Sequence, residues 1–231
     1  MLTKVGLNAE AEDCSIVPIS DTHYLISNID IVTPIHDDPY VMGKIAACNA
    51  TNDLFALNAV DVVTFNCFLG LPSDIPEDVS VGILKGVKDF VQSIGGKITG
   101  GHTIQNDAPL IGGATSSIVR RESVITKQGV RKGDKLILTK PLGVQAIMAA
   151  DRTMKADDSY LEGFDLTAIR KGIEMAEKVM TTSNQAVPKL IHRENQLDAV
   201  HAMTDVTGFG FTRHLEEMLL HSNCGVILHE L

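Results

Sequence analysis

A mixed α/β or α+β architecture is predicted by three features of this 231-residue sequence. Short runs of branched apolar residues alternate with stretches of helical period. Glycine and proline sit at the joints between them. Hydrophobic residues make up 44% of the chain, enough to bury one large core or two modest ones.

The elements follow in order. Cys14 to Val32 reads as two strands, CSIVPI and HYLISNIDIV, joined by a turn at Ser20-Asp21-Thr22. After the polar break TPIHDDP, residues Tyr40 to Leu57 take a helical period, with Ile45, Ala46, Asn49, Ala50, Asp53, Leu54 and Leu57 on related faces. Val60 to Leu69 is a strand of the buried type. A helix runs from Glu77 to Ile94, where Val81, Leu84, Val87, Val91 and Ile94 share one face, and Gly95-Gly96 stops it. Lys97 to Thr99 lead into a turn at Gly100-Gly101-His102, and Ala114 to Val119 is a further strand. Gly129 to Asp134 turns into a strand over KLILTKP. Pro141-Leu142-Gly143 places a domain boundary, giving domains 1–142 and 143–231. Beyond it, Leu166 to Met180 and Gly210 to His221 are amphipathic helices.

Composition narrows the function classes. Tryptophan is absent and aromatics reach only 4%, so Val, Ile, Leu, Ala and Met must build the core. A net charge of −9 with no Lys/Arg cluster beyond short groups such as Arg120-Arg121 argues against a nucleic-acid partner. The four cysteines lack CxxC and zinc spacing and fit a reducing compartment. The opening MLTKVGLNAEAED has no signal-peptide core, and no apolar run approaches the roughly 20 residues that cross a bilayer. A cytoplasmic protein without membrane contact is expected.

Carboxylates carry most of the candidate chemistry. Asp30 ends an apolar strand, with Ile29 and Ile31 turned to the opposite face. A carboxylate there needs a cation, a donor or water. Asp13 precedes the first strand, beside Glu12. Asn49 and Asp53 lie four apart on one helix and point the same way, and Asp37-Asp38 sit in the intervening loop. Acidic groups on the ends of neighbouring elements suit Mg²⁺ bound together with nucleotide phosphates; taken singly, each could equally be a helix cap or a turn residue. Gly100-Gly101-His102-Thr103 could bring backbone N–H groups to a phosphate or form an ordinary turn, and no GxxxxGK[ST] loop is present. The segment Thr204-Asp205-Val206-Thr207-Gly208-Phe209-Gly210 precedes a helix with hydroxyls and open N–H groups that can meet anionic oxygens.

These stretches, in this order, resemble the selenophosphate synthetases (selenide, water dikinases) of the aminoimidazole ribonucleotide synthetase-like superfamily. The matching pieces are Asp13 before a strand, NIDIVTPIHDDPYVMGKIAACNATNDLFAL, GGHTI, LTKPLG and AMTDVTGFGFTRHLEEM. The TDVTGFG and TPI-x-DDP segments speak against relatives with other substrates, such as thiamine-monophosphate kinase. The resemblance implies a two-domain fold: a first domain with a mixed, dimer-forming sheet, and an α+β second domain that is incomplete here. It implies that ATP, selenide and water become selenophosphate, phosphate and AMP in a homodimer using Mg²⁺. It places Asp13, Asp53 and Asp205 on metal-ligand positions. Glu12, Asp30, Asp53, Gly101, His102 and Thr103 fall on nucleotide-contact positions.

Two departures bear on activity. The family carries a Cys and, three residues later, a Lys on a glycine-rich segment upstream of the Asp13 position, and this sequence starts a dozen residues before Asp13. Cys14 follows the metal-ligand position and reads as a small hydrophobe entering a strand. Asn58-Ala59 replaces the Gly-Gly that follows the NDLFA helix. The alternative reading is therefore a catalytically incomplete ATP-binding or dimerisation homologue, or a fragment. No catalytic side chain is assigned from sequence.

Overall fold

The computed structural model describes residue 4, residues 12–220 and residues 222–228. Most of the opening segment read for a signal peptide lies outside the described residues, as does His221 at the end of the last expected helix.

A hairpin starts the fold. Strand β1 (Ser15–Pro18) pairs antiparallel with β2 (His23–Val32), Ile16 opposite Ile26. Helix α1 (Pro39–Ala56), β3 (Thr64–Leu71), α2 (Glu77–Ser93), β4 (Ile98–Gln105) and β5 (Leu110–Arg120) follow. The five strands form one sheet in the order β1-β2-β5-β3-β4. Only β3 and β4 run parallel, as their α2 crossover requires; the other pairings are antiparallel. The sheet is therefore mixed.

Alternation assigns the two faces of the sheet. Ile26 on β2, Phe65 and Leu69 on β3, and Ile111 and Val119 on β5 pack against α1 and α2 in one core. Ile29, Ile31 and Ile118 point the other way and are 65%, 40% and 49% exposed. One face is thus covered by helices and the other is open.

Helix α1 is buried almost all round, with Met42, Ile45, Ala46, Ala47, Cys48, Ala50, Leu54 and Phe55 all in the interior. Asp38 caps its start, accepting a hydrogen bond from Val41 N–H at 2.9 Å, and Pro39 opens the first turn. At the other end Asn58 takes a left-handed conformation (φ +66°). Its N–H reaches Phe55 C=O at 3.0 Å, and Ala59 N–H reaches Leu54 C=O at 3.1 Å. Asn58 also donates to Ser123 C=O at 2.8 Å. An asparagine thus makes the turn that a glycine would otherwise make.

Two glycines set how α1 and α2 meet. A Cβ on Gly43 would stand 2.1 Å from Ile83 O, and one on Gly86 would stand 2.0 Å from Tyr40 O. The backbones touch there, and this contact fixes the rotation of α2. Ile83, Val87, Phe90 and Val91 are buried, whereas Val81 and Leu84, expected on the buried face, are exposed.

Two other expectations are corrected. Gly100-Gly101-His102 is no turn but lies within β4, where a Cβ on Gly101 would approach Cys67 O to 2.4 Å. The segment KLILTKP forms no strand; Leu136, Ile137 and Leu138 are exposed and carry no ladder partner among the described residues. Extended apolar sequence becomes strand only where a neighbour supplies the ladder.

The later part of the chain adds α3 (Val144–Ala156), α4 (Leu166–Met180), α5 (Ala186–Arg193) and α6 (Phe211–Leu219). Helices α3 and α5 had no counterpart in the sequence reading. Lys155 on α3 lies 2.7 Å from both Asp37 and Asp151, and Asn184 N–H donates to Asn52 at 3.0 Å. Gln185 donates to Val60 C=O at 2.8 Å and to Ile94 C=O at 2.9 Å. These bonds tie the helices to the first sheet unit. No described helix is long and apolar enough to cross a membrane.

Candidate functional site

Four aspartates meet at one cavity of about 310 Å³. Asp13 reaches it from the segment before β1, Asp30 from the covered face of β2, Asp53 from α1, and Asp205 from the loop before α6. Strand alternation puts Asn28 and Asp30 on the same side, and helical spacing puts Asn49 and Asp53 together. The two pairs interlock. Asn49 Nδ2 donates to Asp30 Oδ2 at 2.9 Å, and Asn28 Nδ2 donates to Asp53 Oδ2.

The electrostatics of this cluster are unfavourable as they stand. Burial pushes the Asp53 carboxyl far above the ordinary carboxylate range, and the facing Asp205 and Asp30 add to it. Asp205 is raised by its own burial and then by Asp13. Asp13 is raised by burial, partly offset by Thr204 and Lys127. Like charges crowded together at buried positions call for a shared proton or a cation.

Opposite the aspartates lie groups that sequence reasoning missed. Lys127, in the loop after β5, sends Nζ to within 3.5 Å of Asp13 Oδ1 and 3.4 Å of Glu217 Oε2. Its backbone N–H donates to Glu12 Oε2 at 2.9 Å. His214 on α6 accepts from Thr207 N–H at 3.2 Å through Nε2, so Nδ1 carries the proton. That Nδ1 is buried without a partner, and burial lowers the imidazole's proton affinity. Arg213, His214 and Glu217 recur at helical spacing within TRHLEEM, which could have marked the inward face of α6. Lys127 lies in irregular chain with no such signal.

Asp13 Oδ2 is likewise buried with no hydrogen-bond partner among the described residues. Among the described residues, no three His, Cys, Asp or Glu side chains converge tightly enough to enclose a metal ion unaided. The donors nevertheless suit Mg²⁺, a hard cation bound through one or two carboxylates while water and phosphate oxygens complete its shell. Cys14, beside the cluster, is buried; burial and then the four aspartates drive its thiol far from ionisation.

Gly101, His102 and Thr103 are not part of this cavity. They lie exposed on the edge strand β4, three strand positions from β2, or about 14 Å at ordinary strand spacing.

Residues 11–119 match the AIR synthase related protein, N-terminal domain, and residues 131–231 match the AIR synthase related protein, C-terminal domain. The chain belongs to the AIR synthase related family. Among curated relatives, it is 40% identical over 228 residues to "Selenide, water dikinase" of Methanocaldococcus jannaschii, and 41% identical over 228 residues to the protein so named in Methanococcus maripaludis. These alignments cover 96% and 95% of this chain, which spans 64% and 65% of the relatives' own lengths. Among solved structures, it resembles thiamine-monophosphate kinase from Stenotrophomonas maltophilia K279a, with a TM-score of 0.69 at 18% identity. That likeness covers 91% of this chain and 67% of the other, and it shows the AIR synthase-like fold alone.

Proposed function

We propose that this chain is the metal- and nucleotide-binding body of a selenophosphate synthetase, which takes ATP, selenide and water to selenophosphate, phosphate and AMP. The observation that carries the reading is the meeting of Asp13, Asp30, Asp53 and Asp205 at one cavity, in a chain 40% and 41% identical to selenide, water dikinases. Residues 1–142 form the ATP, metal and dimer domain in this reading, and residues 143–231 belong to the second domain.

Asp13, Asp53 and Asp205 are the groups to hold magnesium. Bound there, the ion neutralises the triphosphate and the charge developing on each transferred group. The chain's own residues prepare the site. Asn28 and Asn49 fix the carboxylates of Asp53 and Asp30, and Glu12 pins the backbone of Lys127.

The open sheet face, with Ile29, Ile31 and Ile118, supports a homodimer formed through it. That arrangement also accommodates Gly101, His102 and Thr103 as nucleotide contacts. Too far from the cavity of their own chain, they would serve the site of a second copy. The four cysteines are free thiols, which supports a cytoplasmic setting.

Phosphorus NMR of protein with ATP, magnesium and selenide tests the reading. AMP, phosphate and a new phosphorus signal that require selenide are expected. Nucleotide binding with no selenide-dependent AMP would remove the synthetase reading and leave a binding homologue.

A further inference from the structure

We propose that Lys127 couples cation entry to nucleotide, keeping a bare divalent ion out of the acidic cavity and drawing in the phosphate-bearing one. The inference rests on the reading of the cavity as a metal–nucleotide site.

Lys127 is 11% exposed at its side chain and Asp13 8%, so their 3.5 Å contact is screened little by solvent. Among the described residues, two carboxylates hold the ammonium. Glu217 holds it from α6 at 3.4 Å, and Asp13 from the segment before β1. Glu217 also contacts Arg213 Nε at 3.4 Å, while Arg213 turns its other nitrogen to Glu216 at 2.8 Å. Arg213 is therefore occupied by the outer glutamates. Lys127 is the cation that touches one of the four aspartates among the described residues.

The backbone that carries Lys127 is held in place. It is pinned by Glu12, and Thr126 C=O accepts from Met203 N–H at 3.1 Å, fastening this loop beside the Asp205 segment. Asp13, which lines the cavity, thus presents Oδ1 to the ammonium, while its Oδ2 is buried without a hydrogen-bond partner among the described residues. A divalent ion taken up by the Asp13 carboxylate must sit close to this positive charge, and the two repel. A phosphate arriving with the ion reverses the balance, because the ammonium then faces an anion as well. Lys127 is a positioning and selecting residue in this account; it need not touch the reacting atoms.

The test compares two titrations of the chain by calorimetry, one with MnCl₂ alone and one with AMPPNP at saturating MnCl₂. In Lys127→Met, Mn²⁺ alone should bind at least about fivefold tighter and Mn²⁺–AMPPNP at least about fivefold weaker. Lys127→Gln keeps a polar partner for Asp13 and Glu217 and should shift both affinities the same ways, which covers failure of the methionine variant to fold. Lys127→Arg keeps the charge and should stay near wild type. Affinities that are unchanged, or that move together as a purely structural role demands, overturn the coupling while leaving the nucleotide site intact. Wild type that binds neither Mn²⁺ nor Mn²⁺–AMPPNP overturns the nucleotide site and the coupling with it.

Discussion

Asn28 on β2 and Asp53 on α1, 25 residues apart, are joined by a hydrogen bond from the amide Nδ2 to the carboxylate Oδ2. The same amide lies 3.4 Å from Ala50 C=O, which also accepts from Thr115 on β5 at 3.0 Å. One side chain thus fastens the helix to the sheet and aims a buried carboxylate into the cavity. Such a carboxylate is costly to fold, so the site holds strain that a ligand can relieve.

Asp53→Asn should therefore stabilise the metal-free protein. The substitution keeps the shape and removes the cost of holding a proton on a carboxyl whose charged form is disfavoured by burial and by the facing Asp205 and Asp30. A gain of about 1–3 kcal/mol is expected, read from the urea midpoint at neutral pH. A midpoint unchanged or lowered would mean that the carboxylates do not repel one another.

The same repulsion has a pH signature. Asp53 is raised in the folded state above its ordinary 3.8. Folded protein then keeps a proton that the unfolded chain releases, so stability is lost as pH rises above about 4. His214, lowered by burial, works in the opposite sense, costing stability as pH falls through its ordinary 6.5. Comparing wild type with Asp53→Asn cancels the histidine. The advantage of the variant should grow from pH 4 to pH 8 in metal-free urea titrations; an advantage independent of pH would refute the assignment.

Gly43→Ala and Gly86→Ala should each be severely destabilising. A methyl at either position would stand 2.1 or 2.0 Å from a carbonyl oxygen of the facing helix. Separation of α1 from α2 should cost about 3 kcal/mol or more. A melting temperature within a degree or two of wild type would show that the helices do not meet there.

Ile29→Glu tests the open sheet face. Ile29 is 65% exposed and belongs to no core cluster, so the fold should survive while association through this face fails. Sedimentation should report a dimer for wild type and a monomer for the variant. The same sedimentation for both would place any interface elsewhere.

Much of this was legible in the sequence, for identifiable reasons. Helix α4 has the bounds its periodicity marks, Leu166 to Met180, because Asp165 caps it cleanly, accepting from Thr167 N–H at 2.8 Å. The β1–β2 hairpin and the approximate limits of α1 and α2 were equally plain. The four aspartates could be singled out because each lies at an element boundary or on a readable face. Strand β4 was hidden because it is an exposed edge with two glycines and no alternating burial. The buried face of α2 was misjudged because a backbone contact, not side-chain hydropathy, sets its rotation. Lys127 was invisible because its place depends on Glu12, Thr126 and Met203, contacts between segments far apart in the chain.

The account centres on a cation held with nucleotide by these aspartates. Calorimetry of AMPPNP with and without magnesium, on wild type and Asp53→Asn, tests it most directly. Binding that requires magnesium and weakens at least about tenfold in the variant is the predicted result. Equal affinity in both proteins, or binding indifferent to magnesium, would contradict it.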